Sequence, residues 1–192
     1  MRYEPEHKTR TRDRIVRNAS RKLRAEGLSG SGVASVMKAS GLTVGGFYKH
    51  FDSRDDLVLE ALRSAFGTCR RQSEAAASDG PLLTYAKLVD DYLSEAHRDH
   101  PGSGCAVGAL AGEIARSSMR TRALLTEEIR NNFQLIADLT PAKDEAEARS
   151  RAILTLSALV GAIGLSRAVT DEGLSREILK TVGELLKRET RE

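Results

Sequence analysis

The sequence predicts an all-α fold: an N-terminal three-helix unit containing a helix-turn-helix, then a larger helical body, about nine helices in total. Three observations predict it. Apolar residues recur at helical spacing along most of the chain. Strand-like alternation is nowhere sustained. Glycine, proline and serine interruptions fall at intervals that suit helices. With 192 residues, 40% of them apolar and none of them Trp, the chain is long enough to bury a substantial core.

Residues 1–8 read as an arm. The first helix is expected from about Thr11 to Glu26, with Ile15, Val16, Ala19 and Leu23 on one side and Gly27 as its stop. The second uses Val33, Val36 and Met37 as an i, i+3, i+4 face, with Ser31 as N-cap and Gly41 at the left-handed stop. Leu42 turns back to the core, and Thr43 caps a third helix that opens Val44-Gly45-Gly46. Glycines there weaken a helix by about 1 kcal/mol each relative to Ala. They also let the backbone approach a partner surface, and free N–H groups at that end favour phosphate. Phe47 and Phe51, four apart, face inward, which leaves Tyr48, Lys49 and His50 outward. A short helix, a glycine turn and a second short helix bearing aromatic and basic residues form a helix-turn-helix whose second helix reads DNA. The alternative is a helical hairpin whose polar side is simply wet.

Ser53 and Asp56 resemble a capping box for a fourth helix, whose stripe is Leu57, Val58, Ala61, Leu62, Ala65, Phe66 and Cys69. This helix connects a DNA-binding unit (residues 1–52) to a body (residues 53–192). A small-residue break is expected over Ser73 to Gly80, with Pro81 at the first position of a fifth helix. That helix carries Leu82, Tyr85, Leu88, Val89, Tyr92 and Leu93 and ends before Pro101-Gly102. A sixth helix starts near Gly104 and a seventh near Arg120, with breaks at Ser117-Ser118 and Thr140-Pro141. Asp144 to Val169 is the most apolar segment and is rich in small residues, which permit close backbone approach to another helix. Gly173 is read as a break and Ser175 as the cap of a last helix carrying Ile178, Leu179, Val182, Leu185 and Leu186. The last two helices either fill a monomer's core or form half of a four-helix interface between two copies.

Charge is unevenly spread. Residues 1–71 carry a net +7 and residues 72–192 a net −4, within a total of +3. A basic head on a mildly acidic body fits a nucleic-acid-binding module joined to something else. Arg10, Arg12, Arg14, Arg17, Arg21, Lys22 and Arg24 cluster near the start. Some belong to a solvated helix face, and those nearest the N-terminus are candidates to reach phosphate or a groove.

The run Leu42-Thr43-Val44-Gly45-Gly46-Phe47-Tyr48-Lys49-His50-Phe51-Asp52-Ser53-Arg54-Asp55-Asp56-Leu57 resembles the signature of the TetR family of bacterial transcriptional regulators. The resemblance extends over about Thr11 to Phe66. Met37, where a small residue is common, and Gly32, which weakens the start of the second helix, depart from the pattern. The resemblance implies that Tyr48 and Arg54 contact phosphate and that Thr43, Val44, Gly45, Gly46, Lys49 and His50 touch bases or backbone of double-stranded DNA. It also implies a homodimer on a palindromic operator, a small-molecule effector bound in the body, and repression relieved by that effector. Candidate dimer residues are Leu156, Val160, Ile163, Ile178, Val182 and Leu185. Candidate pocket residues are Phe66, Tyr85, Tyr92, Cys105, Leu110, Phe133 and Ile136. Glu113, on the turn next to Leu110 and Ile114, is either a ligand contact or a solvated or salt-bridged acid.

Cys105 follows Gly102-Ser103-Gly104 at the expected N-terminus of the sixth helix, where the dipole lowers a thiol pKa. The segment from Gly104 to Glu113 is similar to that of TetR-type sensors that respond to electrophiles through a cysteine, and the alternative is a small core residue. His97, His100 and Cys105 lack an evident fourth ligand, so no metal is expected, and no cofactor either. No Ser/His/Asp spacing, phosphate-binding glycine loop or paired acids argue for an enzyme. No run of 18 apolar residues argues for a membrane span, no apolar leader follows Met1, and two cysteines make no disulfide framework. A bacterial cytoplasmic protein is the expectation. The competing function is a helical ligand carrier or interaction protein without specific DNA binding.

Overall fold

A computed structural model describes residues 5–30, 32–79 and 83–189. Among them the chain forms nine α-helices, two 3-10 helices and no strand. The helices are α1 (Pro5–Gly30), α2 (Val33–Ala39), α3 (Arg54–Asp79), α4 (Tyr85–Tyr92), α5 (Glu95–Asp99), α6 (Ala106–Ile114), α7 (Met119–Leu139), α8 (Glu145–Ala168) and α9 (Glu172–Glu189). A 3-10 helix, Val44–Lys49, the expected recognition segment, lies between α2 and α3, and a 3-10 turn, Pro101–Ser103, precedes α6.

The head is built on one apolar cluster. Ile15, Ala19 and Leu23 of α1 meet Val36 and Met37 of α2, Phe47 and Phe51, and Leu57, Ala61, Leu62 and Phe66 of α3. Burying side chains of this size stabilises by about 1.5–3 kcal/mol each, which lets short helices with poor propensity persist. The cluster does not stop at the head. Cys105, Ala106, Val107, Leu110 and Ile114 along α6, with Leu125 of α7, continue it into the body. A second cluster joins α4, α7, α8 and α9 around Val89, Ile136, Leu159 and Ile163.

Several expectations need correction. α1 begins earlier than Thr11, and helical hydrogen bonding resumes past Gly27, whose φ of 80° and ψ of 175° interrupt the regular backbone. Ser31 lies outside the described residues, and Gly32 holds the N-cap position of α2. Thr43 sits at the N-cap of the recognition segment without a side-chain capping bond. Ser73 to Asp79 continue α3 rather than break it. Alanines carry little cost in a helix, so composition alone did not force a stop. Cys69's side chain, Pro81 and Leu82 lie outside the described residues. The fifth helix is divided: Thr84 caps α4 by accepting from the Lys87 N–H, and Ser94 caps a separate α5 by accepting from the His97 N–H. Ser118 and Asp144 cap α7 and α8 in the same way. Gly173 and Ser175 lie inside α9. The Leu174 N–H is capped by Asp171 at 3.1 Å, and the Ser175 hydroxyl donates to the Ser166 carbonyl at 2.8 Å.

α8 is apolar on more than one side. By length and hydropathy it is the one described helix that could cross a membrane. Its inner face, with Ala152, Leu156, Leu159 and Ile163, is buried against α7 and α9. Its outer face leaves Ile153, Leu154 and Leu165 between 43% and 60% exposed, beside exposed Ser157, Gly161 and Gly164. On α9, Leu174 and Leu185 are 43% and 52% exposed.

Candidate DNA-binding head and effector cleft

The recognition segment is held from behind. Gly41 adopts φ 67° and ends α2, with its N–H on the Lys38 carbonyl, and Leu42 N–H returns to the Met37 carbonyl at 2.9 Å. A left-handed residue there suits glycine because it has no Cβ to strain. Phe47 and Phe51, each 1% exposed, stack at 5.5 Å and pull the segment onto the core. Tyr48 meets the Phe47 ring edge-on yet is 77% exposed, and Val44, four residues earlier, is 50% exposed. Thr43, Gly45 and Lys49 are exposed too, with open space where a Gly45 side chain would stand. The segment thus offers solvent an apolar side chain, a phenol, an ammonium and bare backbone.

His50 closes the segment and lies half-buried. Burial, then the charges of Lys8, Arg12 and Lys49, push its pKa below the ordinary 6.5. Arg54 is exposed at the start of α3 and donates to the Leu28 carbonyl at 2.5 Å. Ser53 accepts from the Asp56 N–H at 3.1 Å, half of the expected capping box. Asn18 ties α1 to the end of α2 through the Ala39 carbonyl and the Ser40 hydroxyl, at 3.1 and 3.0 Å. Sequence reasoning missed Asn18, because an isolated amide in a helix carries no local signal of a distant partner. The second helix expected of the helix-turn-helix is here a six-residue 3-10 helix rather than an α-helix, a winding suited to short pieces.

The head is joined to the body by polar bridges. Glu113 of α6 accepts from the Leu28 N–H at 2.9 Å, and Arg24 donates to the Gly102 carbonyl at 2.9 Å. A Cβ at Gly27 would collide with the Glu113 carboxylate. Glu113 is therefore a backbone acceptor at this joint.

In the body, α4, α5, α7 and α8 and the residues before α6 surround an open cleft of about 490 Å³. Of the expected pocket residues, Tyr92, Cys105 and Ile136 line it. Phe66 and Leu110 are buried in the head-side cluster, Tyr85 bonds Thr155 at 2.8 Å within the body core, and Phe133 packs at its edge with Arg149 over its ring. Leu88, Leu135, Leu156 and Leu159 supply most of the apolar wall, with Asn132, His97 and His100 as polar members.

His97 organises one end of the cleft. Its Nδ1 donates to the Tyr92 carbonyl at 2.6 Å, and its Nε2 accepts the Cys105 N–H at 2.9 Å. That pair of partners requires the neutral ring with the proton on Nδ1. Burial, chiefly, and the Arg167 charge lower its pKa, against the Tyr92 carbonyl, which raises it. Both ring nitrogens are thus engaged by backbone, and His100 Nδ1 bonds the Ala96 carbonyl at 3.0 Å. Cys105 occupies the N-cap position of α6 and is 7% exposed.

Of the expected dimer residues, Leu156 and Ile163 are buried in the body core, and Val160, Ile178 and Val182 are half-buried against the core clusters. Leu185 is exposed. The other exposed large apolar positions on these helices are Ile153, Leu154, Leu165 and Leu174.

A basic head with a buttressed turn and an outward, aromatic and cationic recognition segment defines a helix-turn-helix protein. The model of the family described as bacterial regulatory proteins, tetR family, matches residues 15–61. Residues 15–61 thus carry the N-terminal domain of that family. Over 108 residues it is 25% identical to the HTH-type transcriptional repressor DhaR of Mycobacterium sp. (strain GP1); the match covers 56% of this chain and about half, 54%, of that protein. Its fold is similar to the transcriptional regulator, TetR family, from Cytophaga hutchinsonii, with a TM-score of 0.75 at 18% identity, covering 94% of this chain and 95% of that one. It is equally similar to a TetR transcriptional regulator from Chloroflexus aurantiacus J-10-FL, with a TM-score of 0.75 at 21% identity, covering 95% and 96%.

Proposed function

We propose that the chain is a dimeric transcriptional repressor that grips a palindromic operator in the bacterial cytoplasm and is released by a small molecule. Residues 1–52 are the DNA-binding unit, and residues 53–192 bind effector and partner. The observation that carries this reading is the exposure of Val44, Tyr48 and Lys49 on a segment whose other face, Phe47, is fully buried. Burial fixes the backbone, and beyond the Tyr48–Phe47 edge contact the exposed side chains have little intramolecular packing to account for their size. Tyr48 and Arg54 serve phosphates, while Thr43, Val44, Gly45, Gly46, Lys49 and His50 face bases or backbone. Two copies double the contacts on a two-fold site.

The outer stripes of α8 and α9 support the dimer. Ile153, Ser157, Gly161 and Gly164 on α8, and Leu174, Ile178, Thr181 and Leu185 on α9, repeat at three and four residues. A Cβ at Gly161 or Gly164 would meet nothing within 4 Å, leaving room for a second helix pair. The effector is an apolar molecule with a few polar atoms, matched to the cleft between α4, α7 and α8. The test is binding of wild type to a duplex enriched from a random library. Lys49→Ala is expected to weaken binding and to lower the log–log salt slope by about 0.9, while stability stays within about 0.5 kcal/mol. Enrichment of no duplex by the wild type, with the cleft still taking apolar probes, would favour a ligand carrier. Leu165→Glu is expected to give a folded monomer in sedimentation at micromolar concentration; a persisting dimer refutes the α8–α9 interface.

A second reading is thiol sensing through Cys105, favoured by its place in the cleft wall at the N-terminus of α6, where thiolate is stabilised. Absence of adduct at Cys105 after mild electrophile treatment, with unchanged DNA release in Cys105→Ala, ends it.

A further inference from the structure

We propose that Arg12 and Glu60 are a positioning pair that sets the attitude of the recognition segment, and that Arg12, although one of the basic residues of the N-terminal cluster, does not grip DNA. The inference rests on the DNA-binding reading above. Arg12 lies on α1, Glu60 on α3, and the end of the recognition segment lies between them. The Arg12 Nη1 donates to the His50 carbonyl. Its Nε donates to Glu60 Oε2 at 3.2 Å, and its Nη2 to Glu60 Oε1, a two-point pairing. The guanidinium also lies over the Phe51 ring, 4.4 Å from its centroid. All three nitrogens and one face of the group are committed inside the head. Arg10, Arg14, Arg17 and Lys49 are exposed, whereas Arg12 and Glu60 are half-buried.

The physical need is plain. The recognition segment has six residues wound as a 3-10 helix and opens with glycines, so it has little intrinsic stability. Its last carbonyls have no partner within the segment. Arg12 supplies one to His50, at the point where the chain turns toward α3, and Glu60 fixes the guanidinium that does so. The planar fork makes both contacts at once, which an ammonium cannot. The charge of Arg12 is matched by Glu60, so phosphate contact falls to the exposed cations instead.

The two roles for Arg12 predict opposite outcomes. Affinity is measured by fluorescence anisotropy over a salt series, for a duplex enriched from a random library by the wild type and for its scrambled counterpart, with Arg12→Lys, Glu60→Gln and Lys49→Ala. The expected result is that Arg12→Lys and Glu60→Gln each weaken the enriched duplex tenfold or more. Scrambled-duplex affinity stays within about twofold and the salt slope is unchanged, because no phosphate contact is lost. Lys49→Ala weakens both duplexes and reduces the slope. If Arg12 gripped phosphate, Glu60→Gln would free a cation and strengthen binding, and Arg12→Lys would largely preserve it; either result overturns the proposal. A role in stability alone would lower the melting temperature while the ratio of enriched to scrambled affinity stayed constant, which also overturns it. Failure of the wild type to enrich any duplex overturns the DNA-binding reading and this inference together.

Discussion

The head and the cleft are assembled by opposite means. In the head, long polar side chains reach across elements to backbone: Arg12 to His50, Asn18 to Ala39, Arg54 to Leu28. Behind them stand aromatic rings with 1% exposure. In the body, the cleft is walled by leucines from three helices and closed at one end by a neutral histidine held between two peptide groups. The lesson is about tolerance. The outward segment of the head is fixed by directional bonds, whereas the cleft is walled mostly by non-directional apolar contacts that can adjust.

The largest effect expected from breaking this contrast is in the head. Phe51→Ala removes a ring that stacks on Phe47 and underlies Arg12, and it should cost about 3–5 kcal/mol in urea unfolding. A comparable truncation in the cleft wall, Leu88→Ala, starts from a half-buried side chain and should cost less than half as much. Equal losses would mean that the cleft is packed as tightly as the head. Next comes the joint between the regions. Gly27→Ala places a Cβ against Glu113 at a backbone conformation natural only to glycine, with an expected loss of about 1–3 kcal/mol. Glu113→Ala in the same background should recover the steric part, measurable as a double-mutant cycle.

The smallest effect is the pH dependence. His97 has a folded pKa below its ordinary 6.5, so the unfolded chain binds the proton more readily. Its contribution to stability is present above about pH 6.5 and is lost as pH falls through the lower folded value. His50 shifts in the same direction. Stability measured from pH 7.5 to 5 should therefore decline, and His97→Gln should flatten that decline. An unchanged slope in the variant would show that His97 does not carry it.

The all-helical class, an interruption at Gly27, the left-handed Gly41 and the inward pair Phe47 and Phe51 were legible because each rests on local spacing or backbone chemistry. The outward placement of Tyr48 and Lys49 was legible for the same reason. The cleft was only partly so. Tyr92, Cys105 and Ile136 line it, but Phe66, Tyr85, Leu110 and Phe133 share the same helical periodicity and fill core instead. Periodicity reports that a face is covered and does not say whether protein or an empty space covers it. The same ambiguity applies to α8, which is apolar on two faces: of the dimer candidates, Leu156 and Ile163 belong to the inner, buried one. Arg12, Asn18 and Glu113 were illegible as bridges because their partners lie far away in sequence, 21 to 85 residues off.

One residue bridges both regions. The Leu28 N–H is held by Glu113 from the body, and its carbonyl by Arg54 from the start of α3. Its amide proton is shielded only while the two parts stay docked. Its deuterium uptake, followed in a single residue, is therefore a built-in gauge of how often the reading module parts from its support.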